Sequence, residues 1–124
     1  MTYKNLYCKV FLDCDLNQDQ LIQMIATLIG GRTEFKTISN DFCEIDVEKN
    51  EDFQDIQRHE YPDGFLYYPY YLDIEPVGEV TFSSYIEVIT NILEYSWNKG
   101  YQVVTACDFE EDLPRKGGYK WKDQ

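Results

Sequence analysis

The run FCEIDVE at residues 42–48 constrains the fold more than any other stretch of the chain. Cys43, Ile45 and Val47 fall on one side, and Glu44, Asp46 and Glu48 on the other. This is the period-two pattern of a strand with one dry and one wet face. The apolar side has to be covered, while the carboxylate side has to stay in water. Parallel sheets are covered on both faces, so the pattern asks for an antiparallel sheet packed on one face.

Other segments supply the rest of such a sheet. Residues 3–13, YKNLYCKVFLD, alternate Leu6, Cys8, Val10 and Leu12 with Tyr7, Lys9 and Phe11. RTEFKTI at 32–38, followed by the turn Ser39-Asn40-Asp41, reads as the hairpin partner of 42–48. FLYYPYYLDIEP at 65–76 reads as one long strand. In it Leu66, Tyr68, Tyr70, Leu72 and Ile74 oppose Phe65, Tyr67, Tyr71 and Asp73, and Pro69, which cannot donate to a ladder, marks an edge or a bulge. YQVVTACDF at 101–109 forms the last strand.

Two segments switch to helical spacing. Asp15 or Asn17 suits the cap of a helix with Leu21, Ile25 and Leu28 on one face, flanked by Ile22 and Ile29 and ended by Gly30-Gly31. The second begins between Thr81 and Ser84, carries Ile86, Ile89, Leu93 and Trp97 with Val88 and Ile92 beside them, and stops at Gly100. The polar stretch 49–64 offers Asn50 as a cap for one short helical turn and Pro62-Asp63-Gly64 as a turn. The order β-α-β-β-β-α-β, with helices at 17–29 and 82–99, predicts a single α+β domain over residues 1–124. It is a two-layer sandwich, two helices on a mostly antiparallel sheet of about five strands, ferredoxin-like in plan.

Hydrophobic residues at 44% and aromatic residues at 16% are too many for a disordered chain. No run reaches the roughly 20 apolar residues of a membrane span, and MTYKNLYCKV has neither the basic start nor the apolar stretch of a signal peptide. The expected location is the cytoplasm. Cys8, Cys14, Cys43 and Cys107 form no C-x-x-C pair and are expected to be reduced, with Cys8, Cys43 and Cys107 packed as small apolar residues. His59 is the one histidine, so neither structural zinc nor any other cofactor is expected.

Charge is the strongest global signal, with 23 acids against 11 bases for a net −12. Arg115, Lys116, Lys120 and Lys122 lie in the last ten residues with only Asp123 against them. Residues 1–114 therefore carry 22 acids and 7 bases, a net −15. Such a surface repels nucleic acid and anionic lipid and attracts cations or a basic protein.

The acids concentrate in VVTACDFEEDLPRKGGY at 103–119, where a buried strand runs into Asp108, Glu110, Glu111 and Asp112. A metal site, a pair of catalytic acids and a surface for a basic partner are the candidates. DFEED lacks the D-x-D-x-D-G pattern of a calcium loop. Asp108 and Glu110 on one strand face suit a carboxylate hydrolase, but a sandwich of this size has little material for a sugar cleft. Cys107, at the end of an apolar strand, reads as an inert thiol and His59 as a solvated loop residue. Tyr67 and Tyr71 fall on the face opposite the core register. Beside carboxylates they make up a protein contact surface, large rigid rings with polar tips.

Four groups of residues carry a resemblance. They are Pro62-Asp63-Gly64-Phe65; Leu72-x-Ile74-x-Pro76; Trp97-x-x-Gly100; and Ala106-Cys107-Asp108-Phe109-Glu110-Glu111-x-Leu113-Pro114 with Gly117-Gly118-Tyr119. In these the chain resembles small bacterial immunity proteins of polymorphic toxin and contact-dependent growth inhibition systems. The C-terminal half matches in motif, the N-terminal half only in its plan of elements. The resemblance implies a non-enzymatic protein that binds a cognate toxin domain one to one. Many such toxins are nucleases with Lys, Arg and His in the active site, which an acidic inhibitor occupies as a polyanion mimic. The expected contact surface is Glu44, Asp46 and Glu48 with Tyr67 and Tyr71, extended by Asp108, Glu110 and Glu111. For the acids at 108–112, a structural exit from the sheet stands beside the partner surface. A carboxylate hydrolase and a general interaction module are the other readings.

Overall fold

The computed structural model describes residues 3–121, so the C-terminal base Lys122 and Asp123 lie outside the described residues. The strands are β1 (Cys8–Asp13), β2 (Arg32–Glu34), β3 (Thr37–Ser39), β4 (Cys43–Lys49), β5 (Tyr70–Pro76) and β6 (Gln102–Cys107). The helices are α1 (Gln18–Ile29) and α2 (Phe82–Asn98). The strands form one sheet in the order β2-β3-β4-β5-β1-β6, and every neighbouring pair is antiparallel. Without β2 and β3 the element order is β-α-β-β-α-β, with β1 lying between β5 and β6, the split βαβ arrangement.

Local chemistry fixes both helices. Asn17 and Gln20 form a reciprocal capping box: the Gln20 N–H donates to Asn17 Oδ1 (2.8 Å) and the Asn17 N–H to Gln20 Oε1 (3.0 Å). Asp15 plays no part in that cap. Thr81 caps α2 by accepting from the Ser84 N–H. Leu21, Ile22, Ile25 and Ala26 of α1, with Tyr85, Val88, Ile89, Ile92 and Leu93 of α2, are buried against one sheet face. That face carries Cys8, Val10, Leu12, Cys43, Ile45, Val47, Leu72, Ile74 and Val103. Area this large removed from water is the main stabilising term of the domain.

The sheet has six strands, one more than the sequence pattern suggests. RTEFKTI folds back on itself: Glu34 pairs with Thr37, Arg32 with Ser39, and Phe35 sits in the turn at φ 55°. All of β2 is exposed and only Ile38 of β3 is buried, so there is no apolar alternation to announce two strands.

Residues 65–76 differ more. Phe65, Leu66 and Tyr67 belong to a 3-10 turn at Asp63–Tyr67, and β5 begins only at Tyr70. Pro69 precedes the ladder, so its missing N–H costs nothing and β5 sits in the interior, between β4 and β1. Gly64 makes the turn possible, because a Cβ there would lie 2.6 Å from the Arg58 carbonyl oxygen. Asn50 caps no helix: its Nδ2 donates to the carbonyls of Leu66 (3.0 Å) and Tyr68 (2.8 Å) and holds the loop to the start of β5.

That loop covers part of the second sheet face. The Phe65 ring packs edge-on against Phe11 (centroids 5.2 Å apart), and Phe11, Tyr68 and Val104 form a small second core. The outer face is therefore dry near β1 and β6 and wet along β4.

Candidate protein-binding face

The wet part of the outer face is built from β4 and β5. Parity places Glu44, Asp46 and Glu48 of β4 beside Glu75, Asp73 and Tyr71 of β5, each directly opposite its partner in register. Two of these three cross-strand pairs join like charges, Glu44 with Glu75 and Asp46 with Asp73. Like charges directly opposed destabilise a sheet.

The carboxylates on this face are held in different ways. Glu48 takes a salt bridge from Lys36 (2.6 Å), whose pKa the bond raises. Asp46 accepts from the Thr37 hydroxyl (2.6 Å), and Asp73 from the Tyr7 hydroxyl. A hydroxyl donor satisfies an oxygen without supplying positive charge. Burial, then the bond to Asp73, pushes the Tyr7 phenol well above its ordinary range. Lys9 crosses the middle of the face, its ammonium 4.1 Å from the centroid of the Tyr71 ring and 5.0 Å from that of Phe11. Tyr71 is half-buried between Lys9 and Phe11, and burial raises its pKa. Five carboxylates thus share the face with Lys9 and Lys36.

Tyr67 lies elsewhere. It sits in the 3-10 turn before Pro69, not on the outward face of a strand, and its carbonyl accepts from the Gln54 N–H. Alternation along 65–76 puts Tyr67 on the outward face only when Pro69 lies inside the strand, and Pro69 lies before it.

The acids after β6 are split in role. Glu110 Oε1 accepts from the Cys107 N–H (3.1 Å), closing the end of the strand. Phe109 is fully buried and packs against Phe82 and Tyr85, and Leu113 is buried beside it. Asp108, Glu111 and Asp112 are exposed. Tyr3 hydrogen-bonds Asp112, which raises the Tyr3 pKa. Through Ile45–Ile74, Ile74–Cys8 and Cys8–Cys107, the end of β6 lies in one cross-sheet row with β4. Asp108 follows that row level with Glu44, three strand spacings or about 15 Å away. The fold therefore brings Glu44, Glu75 and Asp108 to one end of the outer face, while Glu48 and Tyr71 lie toward the other.

Cys8 and Cys107 face each other across β1 and β6. A thiol–thiol hydrogen bond, with burial, pushes the Cys8 thiol far above its ordinary range. Cys107 is half-buried rather than enclosed. His59 is exposed and accepts from Arg58 Nε (3.3 Å). Among the described residues no group of three or more His, Cys, Asp or Glu is placed to hold a metal ion, and no helix is long and apolar enough to cross a membrane.

Part of the motif set, Trp97, residues 62–65 and residues 117–119, scattered in sequence, converges at the start of β6. Gly117 and Gly118 lie along the β6 edge, where a Cβ on Gly118 would be 2.6 Å from the Val103 carbonyl oxygen and 3.1 Å from Trp97 Cζ2. The Thr105 hydroxyl donates to the Gly117 carbonyl (3.1 Å). The Tyr119 hydroxyl donates to Asp63 (2.9 Å), and its ring meets Phe65 edge-on. Trp97, Pro62-Asp63-Gly64-Phe65 and Gly117-Gly118-Tyr119 are thus one packed unit that closes the β6 edge. Spacing along the chain carries no sign of that meeting.

No family model, no curated protein and no solved structure matches the chain.

Proposed function

We propose that the protein is a binding protein of the immunity type, which neutralises a basic toxin domain, such as a nuclease, through the acidic outer face of β4 and β5. One observation carries this reading. Glu44–Glu75 and Asp46–Asp73 are like-charged pairs in direct cross-strand register. Like charges in direct register repel, and the repulsion is least answered at Glu44–Glu75, since Asp46 and Asp73 each accept a hydroxyl hydrogen bond and Asp73 also faces Lys9 of β1. A cationic partner turns the same repulsion into attraction and collects both carboxylates of a pair at once. The wide negative field of the chain speeds the encounter. Tyr71, half-buried and held by Lys9 and Phe11, offers a rigid ring at the border of the acidic strip. Asp108 extends the surface at one end, while Glu110 serves the strand it closes and Glu111 lies near Tyr3, which packs on Phe82 of α2.

The test takes the gene beside this one, which on this reading encodes a protein ending in a toxin-like domain. Its expression in a host should arrest growth, and co-expression of this protein should restore it. Reversing Glu44, Asp46 and Glu48 together to Lys should slow association about tenfold or more at low salt, with the gap narrowing as salt is added. Tyr71→Ala should act mainly by speeding dissociation. Folded variants that protect and bind like the parent would show that the surface is the wrong one.

A further inference from the structure

All four cysteines are free thiols, and two of them meet. Cys8 of β1 and Cys107 of β6 stand directly opposite in register, so both side chains leave the sheet on the face that the helices cover. The other two thiols lie elsewhere. Cys14 follows the far end of β1, more than about 15 Å from Cys8, and Cys43 faces Pro76 across β4 and β5.

The kind of pair decides what two thiols there can do. Opposed residues in an antiparallel ladder alternate between pairs that exchange both backbone bonds and closer pairs that exchange none. The free edge of β6 gives the parity. A Cβ on Gly118 would meet the Val103 carbonyl oxygen at 2.6 Å, and one on Gly117 the Thr105 carbonyl oxygen at 3.4 Å, so both carbonyls point away from β1. The Cys107 N–H keeps that parity and donates to Glu110 Oε1 (3.1 Å) rather than to Cys8. Cys8–Cys107 is therefore one of the close pairs, whose Cα atoms lie about 4.5 Å apart. A disulfide spans roughly 4.4–6.8 Å between Cα atoms, so a bridge forms here without moving either strand.

The two sulfurs differ in access. Cys8 is fully buried, whereas Cys107 is half-buried beside the exposed Asp108. The Cys8 thiol and the Phe109 N–H both donate to the Cys107 sulfur and lower its pKa, against the opposing effects of burial and of the Glu110 and Asp108 carboxylates. Cys107 is thus the sulfur that an oxidant reaches as thiolate, and Cys8 stands behind it.

We infer that Cys8 and Cys107 are an oxidisable pair, in which a hydroperoxide oxidises Cys107 and Cys8 converts the product into a β1–β6 disulfide. The Cys107 thiolate attacks one peroxide oxygen. An S–O bond forms, the O–O bond breaks, and the departing hydroxide takes up the proton that Cys107 lost and leaves as water. Cys107 is now a sulfenic acid. The Cys8 sulfur attacks the Cys107 sulfur, the S–S bond forms and the S–O bond breaks, and hydroxide leaves as water with the Cys8 proton. Two thiols give up two electrons and two protons, and hydrogen peroxide becomes two waters. The bridge ties the edge strand β6 to β1 just before the exit that carries Asp108 and Glu110. It needs no partner protein and stands apart from the proposed function.

Hydrogen peroxide added to the reduced full chain tests the inference. It should consume two of the four thiols, and peptide mapping without reductant should join the segment holding Cys8 to the one holding Cys107. Because the bridge closes most of the chain into one loop, the oxidised protein should melt about 10 °C higher. Dithiothreitol should return both the thiols and the original melting temperature. Cys8→Ala should halt the reaction at a Cys107 sulfenic acid that dimedone captures, and Cys107→Ala should leave Cys8 unoxidised. A bridge that includes Cys14 or Cys43, Cys107 driven to sulfinic acid in the parent without a bridge, or four thiols surviving excess peroxide would each overturn the inference. So would an oxidised form that melts no higher than the reduced one. The pairing is read on the parent protein, so a variant that fails to fold leaves the inference open to refutation.

Discussion

Substituting Gly118 by Ala isolates the device that seals the β6 edge. Gly118 has φ 91°, a region that side chains enter only at a cost of about 1–2 kcal/mol. A Cβ there also meets the Val103 carbonyl oxygen at 2.6 Å and Trp97 Cζ2 at 3.1 Å. The first contact is with backbone of a paired strand, so the C-terminal segment has to lift. Forced contacts of this kind cost about 1–3 kcal/mol. The total of about 2–5 kcal/mol is a large share of a small domain's stability, typically 5–15 kcal/mol. Gly78→Ala supplies the control: φ is 55°, and nothing lies within 4 Å of the added Cβ. It should lose only the conformational part. Urea unfolding of both variants measures the difference, which the contact argument puts at about 1–3 kcal/mol. If the two substitutions are equally harmful, the close approach of Gly118 to β6 does not contribute, and the account of the Gly-Gly pair is wrong.

Glu75→Lys replaces a repelling cross-strand pair by an attracting one. At low salt it should stabilise the free protein by about 0.2–1 kcal/mol while weakening the toxin complex, and urea midpoints with and without salt decide this. Tyr85→Phe removes a fully buried hydroxyl that donates to the carbonyls of Leu6 (2.6 Å) and Ile74 (3.1 Å), and should destabilise by about 1–3 kcal/mol in the same assay. Burial raises Tyr7, Tyr68 and Tyr85 above the phenol range of the unfolded chain. Their contribution is therefore complete below about pH 10 and lost as pH rises beyond it, because the unfolded state gives up protons first. Urea midpoints that hold steady from pH 8 to above about pH 11 would contradict this.

The elements with strict periodicity were legible in the chain. FCEIDVE became β4 with the expected faces, and the helices lie at Gln18–Ile29 and Phe82–Asn98, because an apolar stripe of fixed period can be buried in only one way. The candidate acids of β4 were legible for the same reason: what alternates with a buried residue is wet. Residues 65–69 read as strand in the chain but belong to a turn, because aromatics suit a strand and a 3-10 turn alike, and the close approach of Gly64 to Arg58 and the two bonds from Asn50 decide between them.

Everything that depends on which strands are neighbours was decided by the tertiary structure. The sequence by itself determined the dry and wet faces of β4, the two helix stripes and the negative charge. Only the pairing of β4 with β5 set Glu44 against Glu75 and Asp46 against Asp73. Only the fold laid Gly117 and Gly118 on β6 and brought Tyr119 to Asp63. Periodicity is a property of one segment and its solvent, so it is written locally. Register, edge covering and clefts arise between segments far apart in the chain, whose contacts depend on shape and backbone approach that no single stretch contains.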